Sequence, residues 1–141
     1  MQQTDRRPSL LLVEDSPADV FLVKQAMQEE GMDFRLDVMD DGEKAIVFID
    51  NLDADCDAPG PSVILLDLNL PRQTGDDVLR RVRQSPKMGK TPVVIMTSSN
   101  ESADRARMME LGANEYFRKP TDLQEFMRIG KLVRRMAGRS S

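Results

Sequence analysis

The chain has 141 residues, with 20 basic against 24 acidic side chains, a net charge of −4, one Cys and no His. This length fits one domain, and the acidic balance argues against nucleic acid or an anionic membrane surface as the main partner. The missing His excludes Ser-His-Asp and Cys-His catalysis, imidazole metal ligands and a phosphohistidine, while one Cys excludes an internal disulfide or a cysteine metal cluster.

We expect no targeting segment in this sequence. Residues 1–8 are short and polar, and the longest apolar runs have four or five residues. We therefore expect no membrane insertion and a cytoplasmic protein. We also expect residues 1–8 to be a disordered lead, residues 9–136 to form one domain, and residues 137–141 to be a tail too short for an output domain.

The first predicted strand and helix follow this lead. The apolar run at residues 10–13 predicts a strand buried on both faces, as in a parallel sheet. Ser16 is a predicted N-cap, followed by a proline at the first helical position and by Asp19 in an acidic first turn. We expect this helix to run to about residue 30, with Gly31 just past its end.

The same alternation continues along the chain. Further strands are predicted at residues 34–38, 63–66, 93–96 and 115–118. Further helices are predicted from Asp41, over residues 76–84 and 101–111, and from a capping-box pattern at Thr121. Five strand–helix units in a row predict an α/β fold, a doubly wound three-layer sandwich around a five-stranded parallel sheet. The flavodoxin-like strand order 2-1-3-4-5 is the leading candidate.

Residues with functional chemistry follow four of the predicted strands. Glu14 and Asp15 follow the first strand, Asp67 the third, Thr97 the fourth and Lys119 the fifth. The carboxyl ends of parallel strands share one edge of the sheet, where open α/β sheets bind their ligands. In the order 2-1-3-4-5 the first and third strands are neighbours, so we expect the three carboxylates to converge.

Three converging carboxylates repel one another unless a cation lies between them. Mg²⁺ is the cation we expect, because it is a hard ion whose ligands are carboxylates, backbone carbonyls and waters. Mg²⁺ and Lys119 together balance the charge of the three carboxylates. The neutralised pocket could accept a phosphoryl group, with metal and ammonium on its oxygens, Thr97 donating a hydrogen bond and a carboxylate as nucleophile.

Together these residues resemble a response-regulator receiver domain of the CheY-like family. The resemblance covers residues 9–136 and rests on Glu14-Asp15, Asp67 with Leu70-Pro71, Thr97, and Lys119-Pro120. It implies that Asp67 is the phosphoacceptor. It also implies that Glu14 and Asp15 bind Mg²⁺, or Mn²⁺ in its place, together with Asp67 and the backbone carbonyl of Asn69. Asn69 is in addition a candidate modulator of the site.

The resemblance implies roles for residues after the fourth strand and around the fifth as well. Thr97 and Lys119 would contact the phosphoryl group, and Thr97 and Tyr116 would act as switch residues. Ser99 would line the mouth of the pocket and modulate hydrolysis. The Lys119-Pro120 peptide is expected to be cis, which would aim the ammonium into the pocket.

The resemblance further implies a two-component phosphorelay. A sensor histidine kinase would phosphorylate Asp67, the aspartyl phosphate would hydrolyse slowly, and the protein would be a signalling phosphoprotein rather than an enzyme. The signal would leave through the face of the fourth helix, fifth strand and fifth helix, by homodimerisation or by docking a downstream protein. Residues 13–19, 68–71 and 92–119 are similar to single-domain receivers that partner bacterial phytochrome-type kinases, whereas residues 72–75 replace a frequent Met-Asp-Gly.

Some alternatives stay open. An aspartate-nucleophile phosphatase of the haloacid dehalogenase type needs an Asp two residues after the nucleophile, where this chain has Asn69. A flavin- or nucleotide-binding domain needs a glycine-rich anion cradle, and the loop after the first strand is acidic instead. A receiver-like interaction module without phosphorylation is disfavoured by the full set of site residues. In the first helix, Phe21 and Leu22 suit either a broad core stripe or a kinase-docking surface.

Overall fold

Strands and helices alternate along residues 7–138, the residues that this computed structural model describes. The strands are β1 (Ser9–Val13), β2 (Arg35–Met39), β3 (Val63–Leu66), β4 (Val93–Thr97) and β5 (Glu115–Arg118). The helices are α1 (Pro17–Glu29), α2 (Gly42–Ala54), α3 (Gly75–Gln84), α4 (Ser102–Glu110), α5 (Leu123–Phe126) and α6 (Arg128–Gly138). Every strand begins and ends within one residue of its predicted bounds.

The five strands form one parallel sheet in the order β2-β1-β3-β4-β5. This confirms the predicted doubly wound α/β fold, because the order reverses between β1 and β3. Val13 pairs with Leu66, and Leu66 pairs with Ile95, so the carboxyl ends of β1, β3 and β4 lie level with one another. The loops after these strands therefore open at a single edge of the sheet.

Helices cover both faces of the sheet, which is why the central strands are apolar along residues 10–13, 63–66 and 93–96. Successive side chains of β1 point to opposite sides, so that Leu11 and Val13 join one core cluster while Leu10 and Leu12 join the other. The first cluster lies under α2, α3 and α4, and the second lies under α1, α5 and α6. Within residues 7–138, no helix has the length and apolar composition needed to cross a membrane.

The first two helices begin at the predicted caps. Ser16 Oγ accepts a hydrogen bond from the Asp19 amide at 3.3 Å, and Asp41 Oδ1 accepts one from the Lys44 amide at 2.7 Å. Gly31 follows α1 with a φ of 67°, a left-handed conformation that favours glycine. These caps hold the start of each helix at the carboxyl edge of the sheet, beside the strand that precedes it.

The last helical segment differs from its prediction. Asp122, not Thr121, is the N-cap, and its carboxylate accepts a hydrogen bond from the Gln124 amide at 2.8 Å. Both residues carry a good capping oxygen, and spacing alone does not rank two adjacent candidates. The segment is also divided into α5 and α6 at Met127, where a single continuous helix was predicted.

Residues at both ends of the described chain contact the rest of the fold. Arg7 contacts the Asp33 carboxylate at 3.3 Å, and the Pro8 carbonyl accepts a hydrogen bond from the Arg35 amide at 2.8 Å. Backbone pairing with β2 thus extends past the start of β1 into the predicted disordered lead. At the other end, α6 continues through residues 137–138, because Ala137 packs against the core. The predictions for residues 1–6 and 139–141 lie outside the described residues.

Candidate functional site

Two buried carboxylates continue the hydrogen-bond ladder of the central strands. The Glu14 amide donates to the Met39 carbonyl at 2.9 Å, and the Asp67 amide donates to the Val13 carbonyl at 3.0 Å. Both side chains are almost inaccessible, whereas the next residue along, Asp15, is exposed. Carboxylate oxygens of Glu14, Asp15 and Asp67 lie within 4.8 Å of one another. The predicted convergence of these three residues is therefore confirmed.

Lys119 enters the same cluster from the end of β5. Its amide donates to the Thr97 carbonyl at 2.7 Å, which ties the residue to the end of β4. Its ammonium lies 2.6 Å from Glu14 Oε1 and 3.1 Å from Asp67 Oδ2, and the side chain is 12% exposed. The structure thus brings the predicted cation and the predicted nucleophile into direct contact.

Asp19 completes the contacts of Lys119 and was not predicted as a site residue. Its Oδ2 lies 2.8 Å from Lys119 Nζ. In the sequence, Asp19 is an acid in the first turn of a helix, where it interacts favourably with the positive end of the helix dipole. This role explains an acid at the position without any functional site. The topology could have indicated Asp19, because each helix begins at the sheet edge where the preceding strand ends. The first turn of α1 therefore lies beside the carboxylates that follow β1.

Burial dominates the electrostatics of Glu14. Loss of solvent raises the pKa of this carboxyl to about 7, the Lys119 ammonium opposes the rise, and the neighbouring Asp67 adds to it. Burial alone would lower the pKa of Lys119, but its contacts with Asp19, Glu14 and Asp67 outweigh that effect and raise the pKa. Lys119 therefore stays an ammonium ion throughout the neutral range, while Glu14 exchanges a proton near pH 7.

The donor set fits a small, hard divalent cation. Glu14, Asp15 and Asp67 offer carboxylate oxygens, the ligands preferred by Mg²⁺ and Mn²⁺. Glu14 Oε2 accepts from the Ser16 amide at 3.3 Å, and Asp67 Oδ1 accepts from the Asn69 amide at 3.2 Å. These two amides orient the carboxylates of Glu14 and Asp67. The other Glu14 oxygen, Oε1, is buried and forms an ion pair with the Lys119 ammonium without forming a hydrogen bond.

Thr97 is the last residue of β4, which flanks β3 on the side opposite β1, and Ser99 lies in the loop that follows. Thr97 is fully buried, and its Oγ1 accepts a hydrogen bond from the Ser99 amide at 3.3 Å. Ser99 Oγ donates to Asp104 Oδ2 at 2.5 Å, at the start of α4. Thr97 therefore lies at the carboxyl edge of the sheet with its hydroxyl oxygen bound to the Ser99 amide, and Ser99 ties the loop to α4.

Comparison with known proteins decides the family. The model of the response regulator receiver domain matches residues 10–130. The chain belongs to this family. The match spans the sheet and all of the clustered site residues, so the resemblance predicted from the strand-end motifs is confirmed.

Relatives of this receiver include regulators from phytochrome systems. Response regulator Rcp1 of Synechocystis sp. is 36% identical over 120 residues, which cover 85% of this chain and 82% of Rcp1. The crystal structure of Mn²⁺-bound Rcp1 has a TM-score of 0.79 at 34% identity and covers 89% of this chain and 91% of that one. The phosphorylated cyanobacterial phytochrome response regulator RcpA has a TM-score of 0.83 at 27% identity, with 96% of both chains covered. Bacteriophytochrome response regulator RtBRR has a TM-score of 0.72 at 35% identity, covering 86% of this chain and 75% of its own.

Tyr116 of this receiver joins β5 to the loop after β4. Its hydroxyl donates to the Ser99 carbonyl at 3.1 Å, and its partly buried ring packs against the first core cluster. The Arg105 guanidinium lies 5.7 Å from the ring centroid, a cation–π contact from α4. The predicted switch residue is thus in contact with the loop that follows Thr97.

The predicted cis peptide between Lys119 and Pro120 is wrong, because no peptide bond within residues 7–138 of this receiver is cis. The trans form is the lower-energy isomer of an X–Pro bond by about 0.5–1 kcal/mol. The long side chain of Lys119 reaches Glu14 and Asp67 from the trans backbone. Aiming the ammonium into the pocket therefore does not require the cis isomer.

Proposed function

We propose that this receiver is a phosphorylation switch that takes a phosphoryl group onto Asp67 from a phosphohistidine of a partner kinase. The observation that carries the proposal is the position of the Asp67 carboxylate, which is buried, lies among two further carboxylates, and is 3.1 Å from the Lys119 ammonium. This arrangement combines a nucleophilic oxygen with cationic charge at the place where the negative charge of a phosphoryl group would arrive.

The transfer converts one phosphoryl linkage into another. A carboxylate oxygen of Asp67 attacks the phosphorus atom, the P–N bond to the kinase imidazole breaks, and the imidazole nitrogen keeps the electron pair and takes up a proton. The product on this chain is an acyl phosphate. Lys119 holds a phosphoryl oxygen, and the Thr97 hydroxyl donates a hydrogen bond to another. Water then hydrolyses the acyl phosphate slowly and resets the switch.

A divalent cation is the cofactor of the proposed transfer. Glu14, Asp15 and Asp67 would hold it with the backbone carbonyl of Asn69. When bound, Mg²⁺, or Mn²⁺ in its place, neutralises charge on the phosphoryl oxygens and on the carboxylates. The Mn²⁺-bound relative Rcp1 and the acidic cluster of this chain both support the assignment.

The proposed kinase partner belongs to a phytochrome-type sensor. This part of the proposal is supported by the likeness to the phytochrome response regulator RcpA and to the bacteriophytochrome response regulator RtBRR. On α1, Leu22 packs against the core while Phe21 is 63% exposed, so the apolar stripe of this helix is wider than its buried face. We assign Phe21 to the docking surface for the kinase.

The proposed output surface is the face of α4, β5 and the last helical segment. Tyr116 and Ser99 connect it to the loop beside Thr97, so a group that draws the Thr97 hydroxyl inward would also move the partners of Tyr116. This face would then form a homodimer or dock a downstream protein. Ser99 and Asn69, which flank the pocket, would tune the lifetime of the phosphate.

Labelling with acetyl phosphate tests the phosphoacceptor. Wild-type protein in Mg²⁺ should incorporate phosphate that hydroxylamine releases, as an acyl phosphate requires, whereas Asp67→Asn should incorporate none. The matched control is Asp33→Asn, which removes the same charge at an exposed position beside Arg7 and should label like wild type. Label in Asp67→Asn, or label of the wild type in EDTA, would contradict the assignment. A phosphotransfer profile against sensor kinases of the same cell then identifies the donor.

A further inference from the structure

A fourth carboxylate reaches the site from a helix and not from a strand end. Asp19 Oδ2 lies 2.8 Å from Lys119 Nζ, the ammonium that also contacts Glu14 Oε1 at 2.6 Å and Asp67 Oδ2 at 3.1 Å. An ammonium group has three N–H donors, and here three carboxylates surround it. Two of these contacts, to Asp19 and Asp67, are hydrogen bonds, and a phosphoryl oxygen that binds Lys119 competes with all three carboxylates for the same ammonium.

Asp19 is the partner that the phosphorylated site can release. Its oxygens are not part of the carboxylate cluster that fits a cation, which consists of Glu14, Asp15 and Asp67. Its backbone is fixed by the α1 cap, through the hydrogen bond from its amide to Ser16 Oγ at 3.3 Å. Its side chain is 23% exposed, so water can solvate the carboxylate when the ammonium moves away.

Asp19 also changes the charge of the pocket. With all four carboxylates ionised and Lys119 protonated, the formal charge is −3, and a divalent cation reduces it to −1. Without Asp19 the loaded pocket would be neutral. A phosphoryl group carries about −2 near neutral pH, so it meets electrostatic repulsion that the other site residues alone would not produce.

We propose that Asp19 is a positioning residue that holds the Lys119 ammonium while Asp67 is unmodified and competes with the phosphoryl group for it. The inference rests on the proposed function of Asp67 as phosphoacceptor. Asp19 thereby weakens the hold of the site on a phosphoryl group and lowers the phosphorylated fraction of the protein. A merely helix-stabilising role would leave the affinity for a phosphoryl group unchanged.

Binding of beryllofluoride, a phosphoryl mimic that attaches to a carboxylate oxygen, tests this proposal at saturating Mg²⁺. Calorimetry would give its dissociation constant for wild type, Asp19→Asn and Asp19→Glu. We expect Asp19→Asn to bind about tenfold more tightly at low ionic strength, the scale of one unit charge a few ångströms away, and the gain to shrink in high salt. Asp19→Glu keeps the charge and should stay near wild type.

Glu29→Gln is the matched control, because it removes one carboxylate from the exposed far end of the same helix. It should bind the mimic like wild type. Equal or weaker binding by Asp19→Asn, in protein whose thermal unfolding remains cooperative, would overturn the proposal, as would a gain that salt does not reduce. Asp19→Ala provides a second neutral variant, for which tighter binding is also expected. Failure of wild type itself to bind beryllofluoride would instead refute the proposed phosphoacceptor site, and the role of Asp19 with it.

Discussion

At the scale of single residues, Glu14 is a carboxyl that folding removes from water. Its carboxyl is buried at the end of β1, and burial raises its pKa from 4.5 to about 7. A carboxyl whose pKa is raised on folding stabilises the folded chain fully at pH values below its pKa in the unfolded chain, 4.5 for Glu14. This stabilisation is lost as the pH rises through the pKa of Glu14 in the folded chain, about 7, and above that pH Glu14 no longer makes stability depend on pH.

The first prediction follows from this sign. Without metal, the wild-type free energy of unfolding should fall between pH 5 and pH 8 by on the order of 2 kcal/mol from this group. Urea unfolding in EDTA at the two pH values measures the difference. Glu14→Gln cannot ionise and should reduce the slope, while Glu29→Gln, which is exposed, should retain it. Equal slopes in wild type and Glu14→Gln would show that Glu14 does not titrate in this range.

The residue scale also shows where sequence patterns stop being informative. Glu14, Asp15 and Asp67 could be predicted because they follow strands whose apolar runs are distinct. Asp19 could not, since an acid in the first turn of a helix is expected from the helix dipole alone. Its contact with Lys119 joins residues 100 positions apart in the chain, and local spacing carries no information about such a pair.

At the scale of elements, the five strands were easier to predict than the helix ends. Strands buried on both faces have apolar runs, and for five right-handed strand–helix units the order 2-1-3-4-5 is a common arrangement. The start of the last helical segment was misplaced because Thr121 and Asp122 are both capping residues. Neither a proline nor a glycine stands at Met127 to mark the division between α5 and α6 in the sequence.

Gly130 allows close packing between α1 and α6. A Cβ added at Gly130 would lie 2.6 Å from the Ala26 carbonyl oxygen and 2.9 Å from Glu30 Cγ. Gly130→Ala should therefore push the helices apart and cost about 1–3 kcal/mol, partly offset by a gain of up to about 1 kcal/mol in helix propensity. Urea unfolding followed by circular dichroism measures the net loss.

Gly138→Ala is the control for this substitution. It makes the same chemical change in the same helix, at a position where an added Cβ meets nothing within 4 Å. This variant should be as stable as wild type or slightly more stable, because only the propensity term remains. If Gly130→Ala were also as stable as wild type, the two helices would be able to separate without loss.

At the scale of the whole molecule, acidic charge is concentrated at the carboxyl edge of the sheet. Glu14, Asp15 and Asp67 converge there, with Asp19 beside them, and Lys119 is the cation that the structure places among them. By contrast, the last helix carries basic residues and no acid over Arg128–Gly138. The folded chain therefore holds together a cluster of like charges that the unfolded chain would separate, and a bound cation should favour the folded state.

This coupling predicts that Mg²⁺ and Mn²⁺ stabilise the whole fold. A cation that binds only the folded chain should add about 2.7 kcal/mol to the free energy of unfolding at 100 times its dissociation constant. Thermal unfolding at pH 8 should shift upward with added metal in wild type and in the control Asp33→Asn. Asp15→Asn should lose most of the shift, because it removes an exposed ligand without disturbing the buried pair of Glu14 and Asp67.

At pH 5 the wild-type shift should also shrink, since the proton that Glu14 then holds competes with the metal. A shift of equal size in Asp15→Asn would place the metal elsewhere on the chain.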